Sequence, residues 1–302
     1  MIRDLRLFDV PTILGASTNP TPWELWNICA GKIDEPPRAS AASDWRQLLK
    51  GAVLKGIEDR YRCTLHPMEA HNPPHSCVRL FDLQTIVAPG DLPLSRPCDA
   101  LLLRQIAADV LANVWRKDSR VEPPLAEMAK AQLYMHAYNL PNMAIFVLAS
   151  GGENEALVEL TYDETFALDI IQRVNDFRQS ILENREPSPD FKVDWKALEA
   201  RYKPTIASPP LDLRDRPDIT EIKNAYVSLS SQKTANGRVG RELEADEKAK
   251  KAQLKSILGN HASAVLSDGS MITFKEVSMK ESVRAASSYQ KLDVTQAGAN
   301  LN

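Results

Sequence analysis

The stretch PCDALLLRQIAADVLANVWRKD, Pro97 to Asp118, decides how this chain folds. It holds two apolar runs, Ala100 to Ile106 and Val110 to Trp115, separated by only three residues. Read as strands, they make a hairpin. Alternation then puts Asp109, Leu111, Asn113 and Trp115 on one face and Val110, Ala112 and Val114 on the other. The second face is core. The first is mostly polar or amphipathic, which suits either the mouth of a site or an edge strand meeting solvent.

Working outward, TPWELWNICAGKI begins a helix that Thr21 can cap, with Glu24 three residues on, and it carries Trp23, Leu25 and Trp26. A second helix is expected from Ser43 to Arg62, with Trp45, Leu48, Leu49, Val53, Leu54, Ile57 and Tyr61 at helical spacing. Residues 63 to 98 carry six prolines and read as loop. After Pro123-Pro124, PLAEMAKAQLYMHAYNL reads as a helix and NMAIFVLAS (Asn142 to Ser150) as a buried strand. ALVELTYD then alternates as a strand, and DETFALDIIQRVNDFRQSILEN is a long amphipathic helix. The order helix, helix, strand, strand, helix, strand, strand, helix predicts an α/β (α+β) fold, with a mixed central sheet flanked by helices.

The character of the chain changes after about residue 205. A Pro-rich link over 206–218 leads to a long charged helix. That helix places Ile219, Ile222, Tyr226, Leu229, Leu243, Leu254, Ile257 and Leu258 on one stripe, with Gly237 and Gly240 loosening its middle and Gly259 as its stop. Ser263 to Val277 alternates around Asp268-Gly269, a hairpin signal. The expected organisation is a core over 1–205, the link, a helix-and-hairpin arm over 219–290 that packs or oligomerises, and a disordered tail over 291–302.

At 302 residues and 43% hydrophobic content the chain can bury a sizeable core. Its net charge of -3 gives no general attraction to nucleic acid, so any such binding needs a local basic patch. No apolar run reaches membrane-spanning length and the start lacks a signal-peptide core, so a location in the bacterial cytoplasm, away from membranes, is expected. Four cysteines, Cys29, Cys63, Cys77 and Cys98, form no CxxC pair and suit reduced, buried thiols. Cys63, His66, His71, His75 and Cys77 cluster in the Pro-rich stretch. Zinc favours such ligands, but the spacings match no standard finger, and the preferred reading is a loop without metal.

Taken in order, ILGASTNPTPWELWNICAGK, LLKGAVLKGIEDRY, CDALL, VLANVW, AKAQLYMHAYNL and AIFVLASGG resemble the phage recombination nucleases of the YqaJ and lambda-exonuclease kind, within the PD-(D/E)XK superfamily. The tail DEKAKKAQLKSILGNHASAVLSDGSMITFKEV is similar to the charged helix and hairpin that follow the nuclease core in that family. The resemblance covers residues 11 to 290 and implies a restriction-endonuclease-like core that hydrolyses DNA phosphodiesters. In such sites carboxylates hold Mg2+, which activates water, beside an assisting lysine.

Carried over residue by residue, the resemblance implies a degenerate site. The helix pattern begins at Gly51 and puts Lys55 where an acid belongs. The turn aspartate is Asp99, the one metal-ligand position retained. The acid-x-lysine pair falls on Asn113 and Trp115, and the helix glutamine on Gln132. Lys55 and Asn113 in place of two acids shift the pocket by about three charges toward positive, against Mg2+. Glu58, Asp109 and Lys117 are the possible substitutes.

The expectation is therefore a phage or prophage recombination protein with impaired catalysis and no cofactor. It would act by binding double-stranded DNA through Arg46, Lys50, Lys55, Arg60, Arg62, Arg116 and Lys117, or by pairing with a recombination or nuclease partner. Two alternatives stand beside it: an active Mg2+-dependent nuclease with relocated ligands, and a homo-oligomeric interaction protein that does not touch DNA. The basic run Glu247 to Lys255 reads mainly as a solvated helix face.

Overall fold

The computed structural model describes the chain apart from residues 1–2, 18, 37–40, 69–77, 81–82, 118–119, 150–153, 204–208, 236–239, 279–287 and 296–302. It divides into two compact units, Met1–Glu186 and Pro187–Asn302.

The first unit opens with a 3-10 turn (Leu7–Asp9), α1 (Val10–Ile13), α2 (Pro22–Cys29) and α3 (Ala41–Tyr61). Strands β1 (Thr64–Pro67), β2 (Leu83–Ala88) and β3 (Ala100–Ile106) follow, then α4 (Ala108–Val110), which runs into a π-helical turn (Leu111–Trp115). Two short strands, β4 (Arg116–Lys117) and β5 (Arg120–Val121), pair antiparallel. The unit ends with α5 (Leu125–Tyr138), β6 (Asn142–Ala149), β7 (Glu155–Thr161) and α6 (Glu164–Leu182).

The expected mixed α/β architecture is present: a five-stranded sheet in the order β1-β2-β3-β6-β7. Only β3 and β6 are parallel, in register from Ala100 opposite Met143 to Ile106 opposite Ala149, with α5 inside the crossover. Alternation sends Ala100, Leu102, Met143, Ile145 and Val147 into one core with Leu25, Trp26, Ala129, Leu133, Ile170 and Val174 of the helices. The opposite face sends Leu101, Leu103, Ala144 and Phe146 against Ile57 of α3. Burial on both faces is why β3 and β6 are continuous apolar runs instead of alternating ones.

Several expectations are corrected. Residues 110–115 form no strand. Leu111 and Trp115 are the buried members and are spaced i, i+4, whereas Ala112, Asn113 and Val114 are exposed. That pattern is one helical turn seated on the core, favoured by the alanines at 107, 108 and 112. Residues 63–98 are not all loop, since β1 and β2 lie within them. Pro67 is tolerated because β1 is the sheet edge. Beyond β2 the chain returns close to the end of α3, with Asp91 N–H donating to the Tyr61 carbonyl at 2.6 Å. A Cβ on Gly90, at φ 55°, would lie 2.1 Å from the Arg62 carbonyl oxygen, so only glycine fits.

The second unit contains α7 (Trp195–Arg201), β8 (Leu211–Leu213), α8 (Pro217–Ala235), α9 (Gly240–Leu258), β9 (Ser263–Leu266), β10 (Met271–Ser278) and β11 (Ser288–Thr295). Its sheet runs β11-β10-β9-β8, and only β8 and β9 are parallel. Leu213, Ile219, Leu254, Leu258, Leu266, Ile272 and Phe274 form its core.

Here too the outline differs from expectation. The units divide at Glu186, not at 205, because α7 packs on α9. The 206–218 link contains β8, which completes the sheet beside β9. The long helix is two helices, α8 and α9, packed on each other, with Gly237 outside the described residues. The tail over 291–302 is ordered as far as Thr295, where β11 pairs along β10. The Asp268-Gly269 turn is as expected: Gly269 has φ 75°, and Asp268 accepts from Ser270 N–H at 2.9 Å and pairs with Lys223. No helix among the described residues is long and apolar enough to cross a membrane.

Candidate functional site

The residues singled out from sequence lie on separate features of the first unit. Asp99 is exposed at the entry to β3, where its backbone carbonyl accepts from Ile86 N–H at 2.9 Å. The segment with Asp109, Asn113 and Trp115 follows the other end of β3, roughly 20 Å along the strand at about 3.3 Å per residue. Trp115 is a core side chain, 2% exposed. Asp109 and Asn113 are exposed.

Gln132 is buried, and both ends of its amide are engaged. Nε2 donates to the Thr161 carbonyl at 2.9 Å, and Oε1 accepts from Asp163 N–H at 2.8 Å. Glu58 receives Leu65 N–H at 2.9 Å and so holds the start of β1. Lys55 pairs with Asp59 at 2.8 Å on the outer side of α3, and both carboxylates near it raise its pKa. Acids so dispersed, beside a buried indole and a fully used amide, do not fit a Mg2+ site, which needs several oxygens converging on one point. Among the described residues no group of three His, Cys, Asp or Glu side chains is placed to hold a metal.

What the fold does bring together at the exit of β3 is a compact charged cluster. Arg104 pairs with Glu127, and Lys130 approaches the other carboxylate oxygen at 2.5 Å. Their side chains are 21%, 16% and 14% exposed respectively, so the cluster is largely withdrawn from water. Burial opposes ionisation of Glu127, but the two cations outweigh it and hold the carboxyl below the usual range. Lys130 is pushed down by burial and by Arg104, against the pull of Glu127. The formal balance is two cations to one anion, at the carboxyl ends of parallel strands, where open α/β sheets receive ligands. A net positive charge there disfavours a divalent cation.

Sequence reading missed this cluster. Its signals were the lone charge in the apolar run ALLLRQI and the i, i+3 pair of Glu127 and Lys130.

A larger cavity of about 770 Å3 opens between the end of α5 and the start of α6, lined in part by Met135, His136, Tyr162 and Glu164. His136 Nδ1 lies 2.8 Å from the Tyr162 hydroxyl. Burial, followed by Glu164 and Asp163, raises the Tyr162 pKa, so the phenol stays neutral near pH 7.

Of the seven cations expected to meet DNA, Lys50 is half-buried and the other six are exposed, and four of these six face carboxylates. Arg60 pairs with Glu155 at 2.9 Å, Arg62 with Asp91 at 3.7 Å and Lys117 with Glu122 at 3.9 Å, in addition to Lys55. Exposed pairs of this kind are weak, so phosphate can compete for them. Of the histidine-rich stretch, Cys63 is buried with its thiol donating to the Ile57 carbonyl, and His66 is exposed. His71, His75 and Cys77 lie outside the described residues.

Two kinds of solved exonuclease resemble this chain. The alkaline exonuclease LHK-Exo from Laribacter hongkongensis, in complex with dAMP, is 10% identical with a TM-score of 0.45, covering 65% of this chain and 94% of that one. A phage-related exonuclease from Haemophilus somnus 129PT is 11% identical with a TM-score of 0.37, covering 61% and 95%. These are loose likenesses of arrangement only. No protein-family model matches the chain, and no curated protein matches it.

Proposed function

We propose that this chain is a phage or prophage recombination-associated protein, built on an exonuclease-like core, that binds double-stranded DNA or a recombination partner without hydrolysing DNA. The observation that carries this reading is the cluster at the exit of β3. Arg104 and Lys130 share one buried carboxylate there, and the only retained ligand position, Asp99, stands at the opposite end of the strand. A site of that sign holds a phosphate through cations and lacks the converging acids that would activate water.

The test uses linear duplex DNA with Mg2+ or Mn2+. The expected result is no release of nucleotides and a mobility shift that fades steeply with salt. Replacing Arg46 and Arg116, for which no carboxylate partner is seen among the described residues, weakens that shift and lowers the salt slope by about 2. Hydrolysis that disappears in Asp99→Ala overturns the proposal.

A second reading, assembly through α3, is favoured by one observation. Trp45, Leu48 and Leu49 are 63%, 73% and 48% exposed on one face of that helix. It predicts a concentration-dependent oligomer in sedimentation that Leu48→Lys dissociates.

A further inference from the structure

The second unit holds a small cavity of about 70 Å3, lined by Trp195 and Glu199 of α7 and by Lys248, Lys251, Ala252 and Lys255 of α9. Spacings of three and four residues put the three lysines on one face of α9. Two of them have carboxylate partners: Lys248 with Glu244 at 2.9 Å and Lys251 with Glu199 at 3.2 Å.

Lys255 has none within ion-pair distance among the described residues. It is 2% exposed, and its ammonium donates to the Glu199 carbonyl at 3.4 Å and faces the Phe274 ring at 5.7 Å. A lysine that merely covers apolar surface keeps its head in water. Lys255 does not. An ammonium carries three donors, and one long bond leaves most of that capacity unmet in a place where unmet polar groups are costly.

We propose that this cavity is an oxyanion site that takes one phosphoryl group. Its volume exceeds that of a single water but is too small for a nucleoside. A tetrahedral oxyanion brings acceptors to the Lys255 ammonium and to the neighbouring lysines. The Trp195 indole, with the Lys248 ammonium 4.9 Å from its ring, walls the cavity on one side. Every residue involved lies between Pro187 and Asn302, so the site is independent of the reading given to the first unit. The phosphoryl group comes either from a nucleic-acid backbone or from a free phosphate ester.

The test is titration of the full chain with inorganic phosphate at constant ionic strength, by calorimetry and by fluorescence. Trp195 is the one tryptophan after Glu186, so the difference from Trp195→Phe isolates its signal. One phosphate per chain is expected, with a change in Trp195 emission as Lys248 moves toward the anion. Lys255→Met should weaken binding at least about tenfold, the loss of one charge-assisted bond. Lys192→Met, outside the cavity, should leave binding unchanged.

Lys251→Gln, which keeps Lys255, should weaken binding less and serves if Lys255→Met does not fold. No saturable phosphate binding by the wild type overturns the proposal, as does unchanged affinity in folded Lys255→Met or, where that variant does not fold, in Lys251→Gln. Competition of phosphate by a single-stranded oligonucleotide assigns the group to a nucleic-acid backbone. Competition only by mononucleotides assigns it to a free ester.

Discussion

Gln132 and Asp163 are joined at 2.8 Å: the side-chain oxygen of a residue in mid α5 accepts the backbone N–H of the residue that caps α6. Because the same amide donates to the Thr161 carbonyl, Gln132 bridges the end of β7 and the start of α6. Gln132→Leu leaves two backbone groups without partners and is expected to cost about 2–4 kcal/mol. Urea denaturation checks this. A variant as stable as wild type would return Gln132 to the reacting set.

Among the described residues, Glu127 is the one anion that pairs with both Arg104 and Lys130. Glu127→Gln leaves two cations facing each other in a largely dry place, and a loss of about 3–5 kcal/mol is expected. The pH dependence has a definite sign. Glu127 has a lowered folded pKa, so its contribution is complete above the ordinary glutamate range and is lost as pH falls through the lowered value. Denaturant midpoints between pH 6 and pH 3 should fall more steeply in the wild type than in Glu127→Gln.

Much of this architecture is legible in the sequence. The strand over Ala100–Ile106 is legible with its observed bounds, and α5, β6, β7 and α6 within a few residues, because long apolar or strongly periodic runs have one satisfactory burial. The segment after β3 is not. In six residues, Leu111 and Trp115 satisfy both a strand period and a helical one, and only the core beneath them decides. β1 and β2 were hidden among prolines. The Arg104–Glu127–Lys130 cluster joins residues more than twenty positions apart: the lone charge in ALLLRQI and the i, i+3 pair mark its members, but nothing local joins them until the crossover lays α5 beside the exit of β3. The exposed face of α3 had the opposite fate: its spacing promised burial that Trp45, Leu48 and Leu49 do not receive.

That same helical turn makes a strict test of the site. Asn113→Glu together with Trp115→Lys would recreate an acid-x-lysine pair in the sequence. In the fold it puts one charge in solvent and another into the core in place of a 2% exposed indole. No Mg2+-dependent nuclease activity should appear. The Trp115 change alone should cost at least the roughly 3–5 kcal/mol of emptying an aromatic site. Asn113→Glu alone should stay within about 0.5 kcal/mol of wild type. Recovery of DNA hydrolysis by the pair would show that residues 110–115 form the metal-site strand after all.

Lys255 gives the second unit a pH dependence of unusual sign. Burial, opposed by Glu199 and assisted by Lys251, brings its pKa down to about 8. In the unfolded chain an ordinary lysine titrates near 10.4. Between these values the unfolded state binds more protons than the folded one, so stability rises with pH across that window. Below about pH 8 the buried charge imposes its full cost, of order 3 kcal/mol from the difference in pKa. Lys255→Met keeps the aliphatic stem and removes the charge. Hydrogen exchange of α9 amides at pH 7 should therefore show the variant more protected than the wild type, and the gap should close as pH approaches 10. A variant less protected at pH 7 would mean that the ammonium stabilises the fold through partners other than the Glu199 carbonyl.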